Sequence, residues 1–144
     1  MFIFIEKYKN FVLCFTSFLI LVSFLYFLQF SDKNIYECIL GSALIITFIC
    51  SETFWINPKK YSWPHITDSI IAKITILCFI IYTFFLKKMQ QYHYYSYTPL
   101  VLGMIYFAYK SHTESSKEWC STDHIKNHFF LHLFCFTGSL YAFV

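Results

Sequence analysis

The chain has 144 residues, 58% of them apolar or aromatic and 13% charged, about half the usual charged share. That balance excludes one soluble domain and points to an all-α, polytopic membrane protein with most of its length in apolar runs. The net charge of +3 comes from lysine alone. Without the bidentate fork of arginine, nucleic-acid binding gets no support. The richness in Phe, Tyr, Ile and Lys matches an A/T-rich coding sequence. Cys14, Cys50, Cys78 and Cys135 fall inside apolar runs, Cys38 sits near the start of one, and Cys120 lies in a polar stretch. With no C-x-x-C among them, they read as small packing residues and not as a disulfide framework or cysteine zinc site.

Five spans are expected in a single integral membrane domain, residues 1–144, at about 11–30, 36–55, 67–86, 94–109 and 125–144. The first follows Glu6, Lys7 and Lys9. Its apolar core is too long for a signal peptide and no small-x-small site follows it, so it reads as an uncleaved helix that sets orientation. The second becomes polar in its last turn, Cys50-Ser51-Glu52-Thr53, and Asn57-Pro58 breaks it. Trp55, Tyr61 and Trp63 are placed as an interfacial aromatic belt.

The third span opens on Trp63-Pro64-His65, with Thr67 or Asp68 as a cap or in the first turn. Lys73 reads as shallow enough to snorkel. A charge held deeper costs about 2.5–3.5 kcal/mol on insertion scales and calls for a partner or water. The fourth span carries Pro99 and Gly103, and residues 110–126 read as a polar loop holding His112. Lys7, Lys9, Lys59, Lys60, Lys110, Lys117 and Lys126 face one side, against Lys33, Lys87 and Lys88. This predicts a cytoplasmic N-terminus and a C-terminus across the membrane.

The end of the second span and the starts of the third and fifth then share one membrane face. Ser51, Glu52, His65, Asp68, His128 and His132 fall in a layer roughly 10 Å deep. His128 and His132, four apart on one helix, offer two imidazoles to a common point, a frequent way to supply two metal ligands. His124 extends the stripe. It lies about 12 Å of rise from His132, so at most two of the three share a metal. His65 is the third ligand by residue type, with Glu52 and Asp68 as carboxylate alternatives. A zinc so held lowers the pKa of a bound water to about 7. Asp68 or Glu52 would shuttle the proton, and the Ser51 hydroxyl would donate to the oxyanion.

A serine ending an early helix, an aspartate opening the next and His128-x-x-x-His132 on the last resemble the ceramidase-like superfamily of membrane hydrolases. That group includes the alkaline ceramidases and the progestin and adipoQ receptors. Gly138-Ser139-x-Tyr141 adds to the likeness. The resemblance implies a zinc-dependent hydrolase acting on a membrane lipid amide, with Ser51, Asp68, His128 and His132 in the family's positions. Two features depart from it. The family's third ligand falls four residues after the serine, where this chain has Trp55, and the family has seven helices where five are counted here. The alternative is a non-catalytic membrane protein acting through lipid or partner association, self-association of membrane helices included. A transporter or channel ranks behind both, because the charges gather at one face instead of tracing a path.

Overall fold

A computed structural model describes residues 9–144, with side chains from Phe11 onward. Glu6 and Lys7, part of the expected basic start, lie outside the described residues. The fold is all-α: α1 (Lys9–Phe30), α2 (Ile35–Trp55), α3 (Trp63–Ile81) running on into a π-helical turn (Tyr82–Leu86), α4 (Gln91–Lys117) and α5 (Thr122–Tyr141), with no strand among the described residues. Three segments are long and apolar enough to cross a membrane: Phe11–Phe30, Ile35–Trp55 and Trp63–Leu86.

Three helices start by one device. Asn34, Ser62 and Ser121 take extended backbone as N-caps, and each side chain accepts the N–H of the third helical residue, Glu37, His65 and His124 respectively. The residue before each cap, Lys33, Tyr61 or Cys120, is left-handed, with φ of 53°, 61° and 57°. Ser62 thus starts α3 a turn and a half before the expected Thr67 or Asp68. That earlier start also places Lys73 ten residues into the helix, about 15 Å along its axis. It is deeper than the sequence reading had it.

The fourth helix is the largest departure from expectation. α4 continues to Lys117 through residues read as loop, and its hydroxyls are accommodated by bonding back to their own helix. Thr113 Oγ1 donates to the Tyr109 carbonyl at 2.9 Å, and Ser115 and Ser116 both donate to the His112 carbonyl. Lys117 pairs with Glu114 at 2.8 Å, one turn apart. Only residues 118–121 separate α4 from α5.

Helix contacts run α3–α2–α1–α5–α4, whereas α3 and α4, the two ends of this series, share no comparable interface. The ring is therefore open on one side. Its tightest seam is α4–α5, where glycines let the backbones approach. A Cβ on Gly103 would enter the Phe134 ring, and one on Gly138 would meet the end of Met104.

One end of the bundle is held by a buried polar clasp. Glu37, 1% exposed, accepts from Tyr82 Oη at 2.8 Å and faces Lys87 Nζ at 3.7 Å. Asn34 Nδ2 donates to the same Tyr82 oxygen at 3.1 Å, and Lys87 Nζ reaches the Ala142 carbonyl at 2.8 Å. Burial pulls the Lys87 ammonium below its ordinary range and Glu37 pulls it back up. The clasp thus ties the start of α2, the end of α3 and the end of α5.

Two stability outcomes follow. Gly103→Ala is expected to cost about 1–3 kcal/mol by overpacking against Phe134, and adding Phe134→Leu should recover part of it in thermal melts of the detergent-purified protein. Lys87→Met should cost about 3–5 kcal/mol, since it strands the Glu37 carboxylate. In the same melts, Glu37→Gln with Lys87→Met should cost less than Lys87→Met alone, a coupling that independent sites would not show.

Candidate functional site

At the end opposite the clasp, α2 finishes while α3 and α5 begin, and the helices enclose a cavity of about 500 Å³, within the range of a small-molecule site. Its wall includes five of the six residues singled out from the sequence: Ser51, His65, Asp68, His128 and His132. Glu52 does not line it. That carboxylate turns to α1 and accepts a hydrogen bond from Ser17 Oγ.

Each group is fixed by its neighbours. Ser51 and Asp68, 3% and 8% exposed, face each other across α2 and α3. Among the described residues Asp68 forms no ion pair with Lys73. His132 Nδ1 lies 2.8 Å from Thr16 Oγ1, and that hydroxyl also lies 3.1 Å from the Leu13 carbonyl. With the Thr16 hydrogen on Leu13, Thr16 accepts from His132 Nδ1–H and the Nε2 lone pair is free; with that hydrogen turned to His132, Nδ1 accepts instead. His128 Nδ1 stands 3.0 Å from Ser111 Oγ. The two rings lie 4.8 Å apart, centre to centre.

His65 and His124 are held the opposite way. His65 Nδ1 accepts the Tyr61 backbone N–H at 3.1 Å, and His124 Nδ1 accepts that of Cys120 at 3.2 Å. A neutral imidazole with Nδ1 occupied as an acceptor carries its proton on Nε2 and has no lone pair left for a metal. Both are the third residue of a helix whose serine cap accepts their own N–H, while each imidazole accepts the N–H of the residue just before that serine. The logic is that of a capping box, with histidine in place of glutamate. The sequence carried this signal twice, as Ser62-x-x-His65 and Ser121-x-x-His124.

Trp55 was expected in an interfacial belt but is 1% exposed. It packs with Leu13, Phe54 and Ile125, and its ring centre is 5.0 Å from that of His128. Tyr61 and Trp63 do stand outside, 75% and 79% exposed. The indole N–H of Trp55 is buried without an acceptor among the described residues, as is that of Trp119, another cavity residue. The cavity therefore presents donors: two indole N–H groups, with His65 and His124 protonated on Nε2.

These residues do not fit the zinc expected from the sequence. A catalytic zinc takes three protein ligands and an open position. His128 and His132 suit the part, each Nδ1 meeting a hydroxyl as outer-shell partners do. His65, expected as the third ligand, has its Nδ1 engaged by backbone. Trp55 occupies the space beside His128 and has no lone pair to give. Among the described residues no three of His, Cys, Asp and Glu come together to hold a metal.

Thr16→Val is expected to destabilise the protein by about 1–3 kcal/mol, because it leaves His132 Nδ1 without its hydroxyl partner. Thr16→Ser should restore most of the loss, read as the shift in thermal midpoint in detergent.

No protein-family model matches the chain, and neither a curated protein nor a solved structure matches it.

Proposed function

We propose that this is an integral membrane protein of reduced ceramidase-like design, whose cavity binds a membrane lipid without hydrolysing it. In this reading α4 and α5 cross the bilayer with the three more apolar helices, and the lysine balance sets the N-terminus in the cytoplasm. The observation that carries the reading is the indole of Trp55 against His128, in the place the resemblance reserves for a third metal ligand. The remaining groups suit binding. Ser51 and Asp68 face each other, and the indole N–H groups await an acceptor such as a lipid carbonyl or phosphate oxygen.

A second reading, zinc-dependent hydrolysis of a lipid amide, is favoured by one observation: Thr16, with its hydrogen on Leu13, holds His132 in the tautomer that a metal ligand needs.

Metal analysis of the purified protein separates the two. The binding reading expects zinc well below one per chain, unchanged by His128→Ala or His132→Ala, with co-purifying lipid retained after chelation. Zinc at one per chain that either substitution removes would overturn it in favour of the hydrolase. Trp55→His, which supplies the missing imidazole beside His128, is expected to raise bound zinc towards one per chain.

A further inference from the structure

The cavity is not sealed. Between α3 and α4 the wall closes at one end, where Phe84 packs on Tyr94 and Tyr97 with ring centres 6.2 and 5.2 Å apart. At the other end Lys60 Nζ donates to the Ser115 carbonyl at 2.9 Å and bridges the α2–α3 turn to α4. Between these two closures the cavity is lined by Ser69, Ala72 and Lys73 from α3 and by Ala108, Tyr109 and His112 from α4. Four of the six, Lys73, Ala108, Tyr109 and His112, are exposed. Ile76 and Ile80 of α3 pack on the Tyr97, Val101 and Met104 cluster of α4 and continue the first closure, and the small residues between it and the Lys60 bridge, where the two helices make few close backbone contacts, make this a lateral window.

Lys73 is the unexplained group in that window. It lies midway along the apolar segment Trp63–Leu86, and among the described residues it forms no ion pair and no hydrogen bond. Asp68 does not serve it, facing Ser51 on the α2 side. An unpaired ammonium at this depth is tolerated only with a partner or water, and an ionisable group so placed marks a ligand path. A second observation points the same way. The buried, acceptor-less N–H of Trp55 lines the same cavity, so the vacant positions call for a ligand bearing acceptor oxygens and negative charge.

We propose that the window between α3 and α4 admits a single-chain amphiphile with an anionic oxygen headgroup, a carboxylate or phosphate monoester, and that Lys73 is its charge partner. The inference rests on the lipid-binding reading above and gives that lipid a charge. Lysine meets such a headgroup as a point charge, which suits either anion. The apolar residues along the inner wall, Ile76, Phe79 and Leu131 among them, take the chain.

The test is titration of delipidated protein in detergent with oleate, oleoyl lysophosphatidate and neutral monooleoylglycerol, followed by native mass spectrometry. One or both anionic lipids should bind at least tenfold more tightly than the neutral one, and the preferred anion identifies the headgroup. Lys73→Gln should abolish the preference while leaving monooleoylglycerol binding unchanged. Lys73→Arg should keep it, and Lys88→Gln, remote from the window, should have no effect. Equal affinity of the Lys73→Gln variant for anionic and neutral lipid, together with an unchanged wild-type preference, assigns the selectivity to Lys73. Undiminished anionic preference in Lys73→Gln overturns the proposal and leaves lipid binding standing. So does a change of oligomeric state in that variant with lipid affinities intact, which would give Lys73 a protein partner. Binding of none of the three lipids overturns both readings.

Discussion

A polar side chain inside an apolar bundle has no water to fall back on, so it is placed where another polar group can meet it. This constraint organises both ends of the molecule. At one end Glu37, Tyr82, Asn34 and Lys87 meet one another through Glu37 Oε1 and Tyr82 Oη. At the other, α1 supplies Thr16 to His132 and Ser17 to Glu52, α4 supplies Ser111 to His128, and α2 sets Ser51 opposite Asp68. α1 looks featureless in sequence, yet its buried hydroxyls fix the carboxylate and the imidazole that chemistry would use. Ser23 continues the seam by accepting from Ser139 of α5 at 2.7 Å.

The same bookkeeping of donors and acceptors divides the four histidines at the cavity end. A ring nitrogen that accepts a backbone N–H fixes the tautomer as firmly as a metal would, and with the opposite outcome at the far nitrogen. His65 and His124 are spent on helix starts, whereas His132 Nδ1 meets the Thr16 hydroxyl. Counting imidazoles by proximity makes all four equivalent. Counting their second nitrogens leaves two, and the neighbour beside His128 is an indole with no lone pair to give. On the proposed reading, the contrast between two imidazoles short of a third ligand and a donor-rich cavity favours binding over hydrolysis.

The three apolar helices were legible because an unbroken run of Ile, Leu and Phe admits little else at that length. Convergence of the end of α2 with the starts of α3 and α5 followed from alternating direction alone. The later part of α4 was illegible to hydropathy. Ser111 to Lys117 is polar throughout; its hydroxyls are satisfied by their own helix carbonyls and Glu114 pairs with Lys117, features that an apolarity window does not weigh. Trp55 was misplaced for a related reason. Its residue type and position at a span end suit an interface, but only packing against Leu13 and Ile125 shows it turned inward. The serine–histidine caps were legible in principle. They went unread because histidine at the third helical position suggests a ligand before it suggests a cap.

The open ring joins these points. Five helices in the order α3–α2–α1–α5–α4 leave α3 and α4 as the ends of the series, joined by side chains over only part of their length. Such a bundle has either to collapse around its interior or to leave it reachable from the side. Collapse is resisted here at both ends of the seam, by the Phe84–Tyr97 contact and the Lys60–Ser115 bridge, which act as spacers as much as closures. Between them Lys73 faces a gap, and a charge at a gap favours any neighbour that neutralises it. The open edge and the lysine set in it are, on the proposal above, two parts of one arrangement.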